Sequence, residues 1–280
     1  MKDKIGIFNR YNKKPSTMKY GYLYDAKVKV PFHKEPRFIR VWLPEDYEFN
    51  NPNKRFPVIY FSDGQNLVDR YLSAYGEWEL DKTAHRLLKK GYPSFIAVGI
   101  DCPINPEERM NELNPPYKVD FKHKQVPKNP YADKYINFII KELKPLIDSL
   151  FHTYKEKECT GIGGSSMGGI MSFYAYITHP EIFGYSLSFS PAFFLYNKKH
   201  WYEILDSFNI QSETHGKLFL YSGGYDYETI FLEPTVNTYN YLKKRLNPNQ
   251  LQMIVDTRQN HNEKAWAEYL EDALKLLIED

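Results

Sequence analysis

The run Gly161-Ile162-Gly163-Gly164-Ser165-Ser166-Met167-Gly168-Gly169 constrains the fold more than any other stretch of this chain. A short run compatible with a strand precedes it (Glu158, Cys159, Thr160). Apolar residues at helical spacing follow it (Ile170, Met171, Phe173, Tyr174, Ile177). A chain that passes so quickly from strand to helix turns sharply, and at such a turn a Cβ would strike neighbouring backbone. Inside the run, Gly164-x-Ser166-x-Gly168 is the G-x-S-x-G pattern, in which the serine occupies a strained turn that lifts its oxygen to the sheet edge. The N-terminus of the helix behind it favours developing negative charge. Two other chemistries use glycine-rich turns. A dinucleotide loop wants an acid about 20 residues on, at the tip of the next strand, but Tyr185–Phe189 runs into Ser190-Pro191. A P-loop wants Gly-Lys-Ser/Thr, which is absent. Ser166 is therefore the candidate nucleophile.

The rest of the chain supplies the strands and helices such a turn needs. Tyr22 to Val30 alternates as a strand, with Phe38–Leu43 as its hairpin partner. Phe56–Phe61 and Ser94–Ile100 are continuous apolar runs, the mark of strands buried on both faces. Further strands fall at Cys159–Gly163, Tyr185–Phe189, Leu218–Ser222 and Leu251–Val255. Helices are predicted from Glu79 to Lys90 with Gly91 as the stop, from Tyr135 to Leu150 with Pro145 kinking or splitting it, and from near Ser166, Lys198 and Pro234. A last amphipathic helix carries Ala265, Trp266, Tyr269, Leu270, Ala273 and Leu274. The alternation predicts an α/β fold, a mostly parallel eight-stranded sheet with helices on both faces. Residues 1–20, polar and basic, read as an N-terminal arm, and residues 21–280 as a single domain. Residues 101–130 break the rhythm, with six prolines and little periodicity. So long an excursion is usually functional or disordered, and this one leaves the C-terminal end of a strand, where α/β proteins bind ligands. Its aromatics Tyr117, Phe121 and Tyr131 are expected to wall a pocket.

Composition excludes several classes. A net charge of +2, with Lys and Arg matched by Asp and Glu along the whole chain, gives no support to nucleic-acid binding. No stretch approaches the length of a membrane span, and no apolar run of signal-peptide length follows Met1-Lys2-Asp3-Lys4. The cytoplasm is the default compartment. Cys102 and Cys159 make no disulfide framework. The composition leaves the oligomeric state open.

In α/β hydrolases of the G-x-S-x-G type, the acid and the histidine follow the serine in chain order. The stretch after strand 218–222 is Gly223-Gly224-Tyr225-Asp226-Tyr227-Glu228. That after strand 251–255 is Asp256-Thr257-Arg258-Gln259-Asn260-His261-Asn262-Glu263. His261 is the candidate base, since a serine hydroxyl becomes a competent nucleophile only when a neutral imidazole takes its proton. Asp226 is the first candidate for the carboxylate that orients the imidazole, with Glu228 as its rival. The oxyanion would take backbone donors from Met167, just after the nucleophile, and from the Asp63-Gly64-Gln65-Asn66 loop, where Gln65 is favoured. Histidines 33, 85, 123, 152, 179, 200 and 215 show no ligand spacing. No metal site and no cofactor are expected; the partner is a small-molecule ester.

Six fragments then carry a resemblance, in order, from about residue 20 to the C-terminus. They are Tyr60-Phe61-Ser62-Asp63-Gly64-Gln65-Asn66-Leu67, Glu77-Trp78, Val98-Gly99-Ile100-Asp101, Arg109-x-x-Glu112, Gly163-Gly164-Ser165-Ser166-Met167-Gly168-Gly169, and His261-Asn262-Glu263-x-x-Trp266. With them the chain resembles the putative-esterase family of α/β-hydrolases. That family includes feruloyl and acetyl esterases, enterochelin-type siderophore esterases and S-formylglutathione hydrolase relatives. The resemblance implies Ser166 and His261 as catalytic, the Asp63-Gly64-Gln65 loop as part of the oxyanion hole, and a structural role for Arg109 and Glu112. Family members often carry Gly-x-x-Glu where this chain has Gly223-Gly224-Tyr225-Asp226, so the acid departs from the pattern. The implied activity is that of a serine carboxylesterase on small acyl or aryl esters, including sugar-linked acetyl or feruloyl esters, through an acyl-enzyme. Siderophore esterase, thioesterase and acyltransferase readings stay open. A hydrolase-fold protein that only binds is opposed by the joint retention of nucleophile, base and oxyanion loop.

Overall fold

The computed structural model describes residues 2–122 and 126–278, so His123 lies outside the described residues. In chain order the elements are β1 (Lys4–Ile5), β2 (Phe8–Arg10), β3 (Tyr22–Val28), β4 (Arg37–Leu43), β5 (Val58–Ser62), α1 (Leu80–Lys89), β6 (Ile96–Ile100), α2 (Pro106–Glu112) and α3 (Ala132–Phe138). A π-helical segment (Ile139–Leu143) leads into α4 (Lys144–Leu150). Then come β7 (Thr160–Ser165), α5 (Met167–Thr178), β8 (Tyr185–Phe189), α6 (Lys198–Asp206), β9 (Lys217–Gly223), α7 (Thr229–Leu242), β10 (Leu251–Asp256) and α8 (Glu263–Ile278). The fold is of the α/β class. All eight expected strands form, and two more come from the stretch read as an arm. β2 pairs antiparallel with β3, Asn9 opposite Asp25 and Arg10 opposite Tyr24. Strands of two and three residues are too short to show alternation in a sequence.

Contacts divide the chain into two compact units. The first comprises Met1–Cys102, Asn137–Thr160 and Asn262–Asp280. Its strands run β1-β2-β3-β4-β6-β5, antiparallel throughout except for the parallel pair β5/β6. Every residue of β5 and β6 is buried, as their unbroken apolar runs require. α1 buries Leu80, Ala84 and Leu87, and the chain leaves it through Gly91 at φ +88°. Pro145 does not break the backbone. The π-helical segment runs without interruption into α4, which has the proline near its start. The wider π turn stands just ahead of a residue with no N–H to give to the turn before it.

The second unit comprises Pro103–Ile136 and Gly161–His261. Its strands run β7-β8-β9-β10, all parallel. The register aligns Ser165, Phe189, Tyr221 and Ile254 in one row, so the four carboxyl ends open on one edge. α5 is buried from Met167 to Ile177, the place for a helix apolar all round. The excursion at 101–130 is not irregular throughout, because α2 lies in it. Asn105 caps α2 by accepting the Glu107 N–H at 2.9 Å, and Pro106 opens it. Asn111 Oδ1 accepts from the Lys128 and Asn129 N–H groups at 2.8 and 2.9 Å. α7 was expected near Pro234, yet it starts at Thr229 with Pro234 inside it. A single 3₁₀ turn, Asp226–Glu228, leads directly into it. The proline has no N–H to give to the Ile230 carbonyl, and its ring crowds that carbonyl, a local cost that the helix absorbs. Among the described residues no helix is long and apolar enough to cross a membrane.

Candidate active site

Ser166 stands at the carboxyl end of β7, directly before α5. Its backbone adopts φ 59° and ψ −116°, which a non-glycine residue reaches at a cost of about 1–3 kcal/mol. Three hydrogen bonds hold it there. Its N–H donates to the Phe189 carbonyl at 2.9 Å, and its own carbonyl accepts from Ala192 and Ile170 N–H at 3.1 Å each. Gly164 shows why the motif needs glycine, since a Cβ there would lie 2.8 Å from the Gly168 carbonyl. Ser165 and Met167 are buried, while Ser166 between them is half-buried. Met167 opens α5, so its N–H is one of the first-turn donors that lack an intrahelical acceptor.

His261 lies in the loop between β10 and α8. That loop is strapped to the one after β9, where Gly224 and Tyr225 N–H donate to the Gln259 carbonyl at 3.3 and 3.1 Å. His261 Nδ1 is hydrogen-bonded to Glu228 Oε2. The other carboxylate oxygen accepts the Gly223 N–H at 2.9 Å. The Glu228 side chain is 0% exposed and that of His261 14%. A carboxylate at that depth is tolerated because both oxygens have donors. With Nδ1 committed to a carboxylate, the ring proton sits there and Nε2 is left as the basic nitrogen.

Asp226, the first candidate for the acid, is not at the imidazole. It is exposed, adopts φ 54°, and starts the 3₁₀ turn. Its carbonyl accepts the Thr229 hydroxyl at 2.7 Å. The turn carries the chain round so that Glu228, the rival, faces inward. A short acidic side chain at positive φ is a turn former, and the longer side chain two residues on makes the contact.

Aromatic rings surround the imidazole. Phe231, on α7, stacks on it at 4.2 Å and 22°, and Tyr227 meets it edge-on at 5.6 Å. Burial, and then the Glu228 charge, raise the Tyr227 hydroxyl above its ordinary pKa. Phe194 packs on Phe231 at 4.8 Å, and Phe121 on Phe194 at 5.1 Å. Phe194 lies two residues past Ala192, whose N–H caps the Ser166 carbonyl. The segment after β8 therefore joins the serine turn to the imidazole's platform. Of the excursion's expected wall, Phe121 takes part. Its seat is fixed by Asp120 and Phe121 N–H, which both donate to Leu195 O, at 2.9 and 3.1 Å. Tyr117 packs instead on Tyr174 at 6.1 Å, and the Tyr131 ring carries the Lys134 ammonium at 5.5 Å. Phe194, Phe231 and Tyr227 escaped the sequence reading, because nothing in their spacing distinguishes them from core aromatics.

Gln65 lies in the first unit, on the loop after β5. Asp63 there adopts φ 56°, and Gly64–Asn66 form a single 3₁₀ turn. The Gln65 side chain is anchored on Cys102. Its Oε1 accepts the Cys102 N–H at 3.0 Å and its Nε2 reaches the Cys102 sulfur at 3.1 Å. Neither Cys102 nor Cys159 is in a disulfide. Asn66 Nδ2 donates to Glu263 Oε1 at 3.1 Å, and Trp78 packs on Trp266 at 5.9 Å. The Asn66–Glu263 and Trp78–Trp266 contacts thus fasten this segment to α8. Glu112, on α2, is 1% exposed. Among the described residues no group of three His, Cys, Asp or Glu side chains is placed to hold a metal.

Comparison with known proteins places the chain in context. The Putative esterase family pattern matches residues 33–277. The protein YbbA of Bacillus subtilis, described as uncharacterized, is 24% identical over 251 residues, 86% of this chain and 92% of that protein. Among solved structures, the BES protein from Bacillus cereus superposes with a TM-score of 0.69 at 22% identity, covering 96% of this chain and 99% of its own. The siderophore hydrolase EstB from Aspergillus nidulans does so with a TM-score of 0.69 at 19% identity, covering 96% of this chain and 98% of its own. At these identities the likenesses show the fold.

Proposed function

Since the chain belongs to the Putative esterase family and is by class an ester hydrolase, we propose that it is a serine carboxylesterase working through an acyl-enzyme. Ser166 Oγ attacks the ester carbonyl carbon as His261 Nε2 takes its proton. The tetrahedral oxyanion takes the Met167 N–H at the head of α5 and, on the sequence motif, the Gln65 amide. Collapse of this intermediate breaks the bond to the alcohol, which leaves with the proton from His261. Water then repeats the sequence and releases the acid. Glu228, and not Asp226, is the carboxylate that holds the tautomer and stabilises the imidazolium. The observation that carries this reading is the buried Glu228–His261 pair, on loops leaving the same strand edge as the strained Ser166 turn. The ring series Phe121, Phe194, Phe231 and Tyr227 favours small esters with an aryl or compact acyl group.

A fluorophosphonate probe tests the class. It should label the folded wild type and not Ser166→Ala, and the substitution should lower kcat by about 10⁵–10⁶. Absence of labelling on folded wild type overturns the serine mechanism. A panel of acetyl, butyryl, feruloyl and siderophore-lactone esters then ranks the acyl groups.

A further inference from the structure

A cavity of about 160 Å³ lies in the second unit, between α6, α7 and the segment after β8. An apolar protein cavity of about 150 Å³ accepts benzene, so this one has room for a single ring. Phe193, Tyr196, Trp201 and Tyr202 form most of its wall, and Pro234 closes it from α7. The polar atoms of that wall are matched inside the protein. Trp201 Nε1 donates to Thr238 Oγ1 at 2.8 Å, and the Tyr202 hydroxyl to the Asn237 carbonyl at 3.2 Å. The Tyr196 hydroxyl donates to the Pro115 carbonyl at 3.2 Å and accepts from Asn114 Nδ2 at 2.8 Å. The aromatic side of the wall therefore offers a ligand mainly carbon.

Tyr196 stacks on Trp201 at 5.5 Å and 16°, and Phe193 lies on Trp201 at 4.8 Å and 32°. These three are at most 3% exposed. Trp201 is thus sandwiched by neighbouring rings, and the wall is an aromatic surface of the kind that packs against another ring.

The mouth is charged. Lys198 is exposed, and its Nζ lies 5.8 Å from the Tyr202 ring centre. Its neighbour Lys199 reaches Glu203 at 3.8 Å, but Lys198 has no carboxylate within ion-pair reach among the described residues. Glu233, also exposed and in the lining, accepts the Asn237 amide at 3.4 Å. We propose that this cavity is a binding site for a one-ring aromatic carboxylate, the ring seated between Trp201 and Pro234 and the carboxylate on Lys198. The site is distinct from the Ser166 centre, since neither Ser166, His261 nor Glu228 lines it. Pro234 follows by one helical turn the Phe231 ring on which His261 stacks.

Benzoate is the probe, titrated into the full-length protein and followed by ligand-observed NMR. Binding should persist in Ser166→Ala. Lys198→Glu should weaken it about tenfold or more, and Glu233→Gln should strengthen it a few-fold by removing a like charge. Asn237→Phe, which fills the space, should abolish it. Lys198→Glu and Glu233→Gln alter exposed side chains, so they keep the test valid if the filled variant does not fold. Unchanged affinity in Lys198→Glu, loss of binding in folded Ser166→Ala, or tighter binding of benzylamine than of benzoate would each overturn the proposal.

Discussion

Two loops of this molecule are built alike and differ in what they hold. One follows β5 and the other β9, and each leaves the carboxyl end of a parallel strand. Each bends at an aspartate with positive φ, 56° at Asp63 and 54° at Asp226. A single 3₁₀ turn accompanies each bend, Gly64–Asn66 just after Asp63 and Asp226–Glu228 beginning at Asp226 itself. In both, the side chain of interest sits two residues beyond the aspartate. Gln65 is anchored on Cys102, and Glu228 on Gly223 and His261. The difference lies in the bend itself. Asp63 is 7% exposed and engages other groups of the protein, whereas Asp226 is exposed. An aspartate at such a bend makes the turn, and the chemistry falls to its neighbour.

The largest effect separates these two roles in the β9 loop. Glu228→Gln keeps the shape but replaces the carboxylate that fixes the imidazole tautomer. It should lower kcat by about 10⁴, the loss found when a triad carboxylate becomes an amide. Asp226→Asn should stay within about twofold. Turnover of p-nitrophenyl acetate by both variants, with folding checked by circular dichroism, decides it. The reverse ranking would break the parallel between the loops, because the turn former would then be the catalytic acid.

That ranking is also where sequence and structure part. The serine turn was legible because few chemistries demand glycine at both 164 and 168 around Ser166, and the backbone geometry at Ser166 follows from it. His261 was legible from its place after the last strand. The acid was not, because Asp226 and Glu228 lie two residues apart and sequence does not record which one a 3₁₀ turn will face inward. α2 was missed because a helix of seven residues shows no apolar stripe, although Asn105-Pro106 is a start signal in its own right. β1 and β2 were missed because their pairing with β3, and not their own pattern, makes them strands. The aromatic platform under His261 was missed for a third reason. Phe194 and Phe231 read as core, and only the crossing of α7 over the segment after β8 brings them to the imidazole.

A middle-sized effect tests whether both loops are equally tight. A Cβ on Gly64 would lie 2.4 Å from the Gly99 carbonyl carbon, and one on Gly223 would lie 2.5 Å from the Gln259 oxygen. Both neighbours are backbone and yield little, so Gly64→Ala and Gly223→Ala should each cost about 2–3 kcal/mol. Urea denaturation measures this. The Gly223 substitution should in addition lower turnover, because its Cβ would sit 2.6 Å from Glu228 Cγ and displace the carboxylate. If Gly223→Ala left both stability and turnover intact, the β9 loop would be looser than its twin and the comparison would fail on packing.

The smallest effect bears on the aspartates themselves. At φ near +55° an alanine is strained and a glycine is not. Asp226→Ala should therefore cost about 1 kcal/mol, and Asp226→Gly should stay within about 0.5 kcal/mol, the relief of strain offset by the greater freedom of the unfolded chain. At Asp63 the backbone argument is the same but the surroundings are not. Asp63→Gly removes a buried group with partners and should cost about 1–2 kcal/mol despite the relaxed backbone. Thermal unfolding of the four variants, Ala and Gly at each position, separates the two contributions. The Ala-to-Gly difference reports the bend and should be similar at both sites. The wild-type-to-Gly difference reports the side chain and should be appreciable only at Asp63. A large wild-type-to-Gly loss at Asp226 would mean that its carboxylate has a partner in solution, and the distinction between the two loops would have to be redrawn.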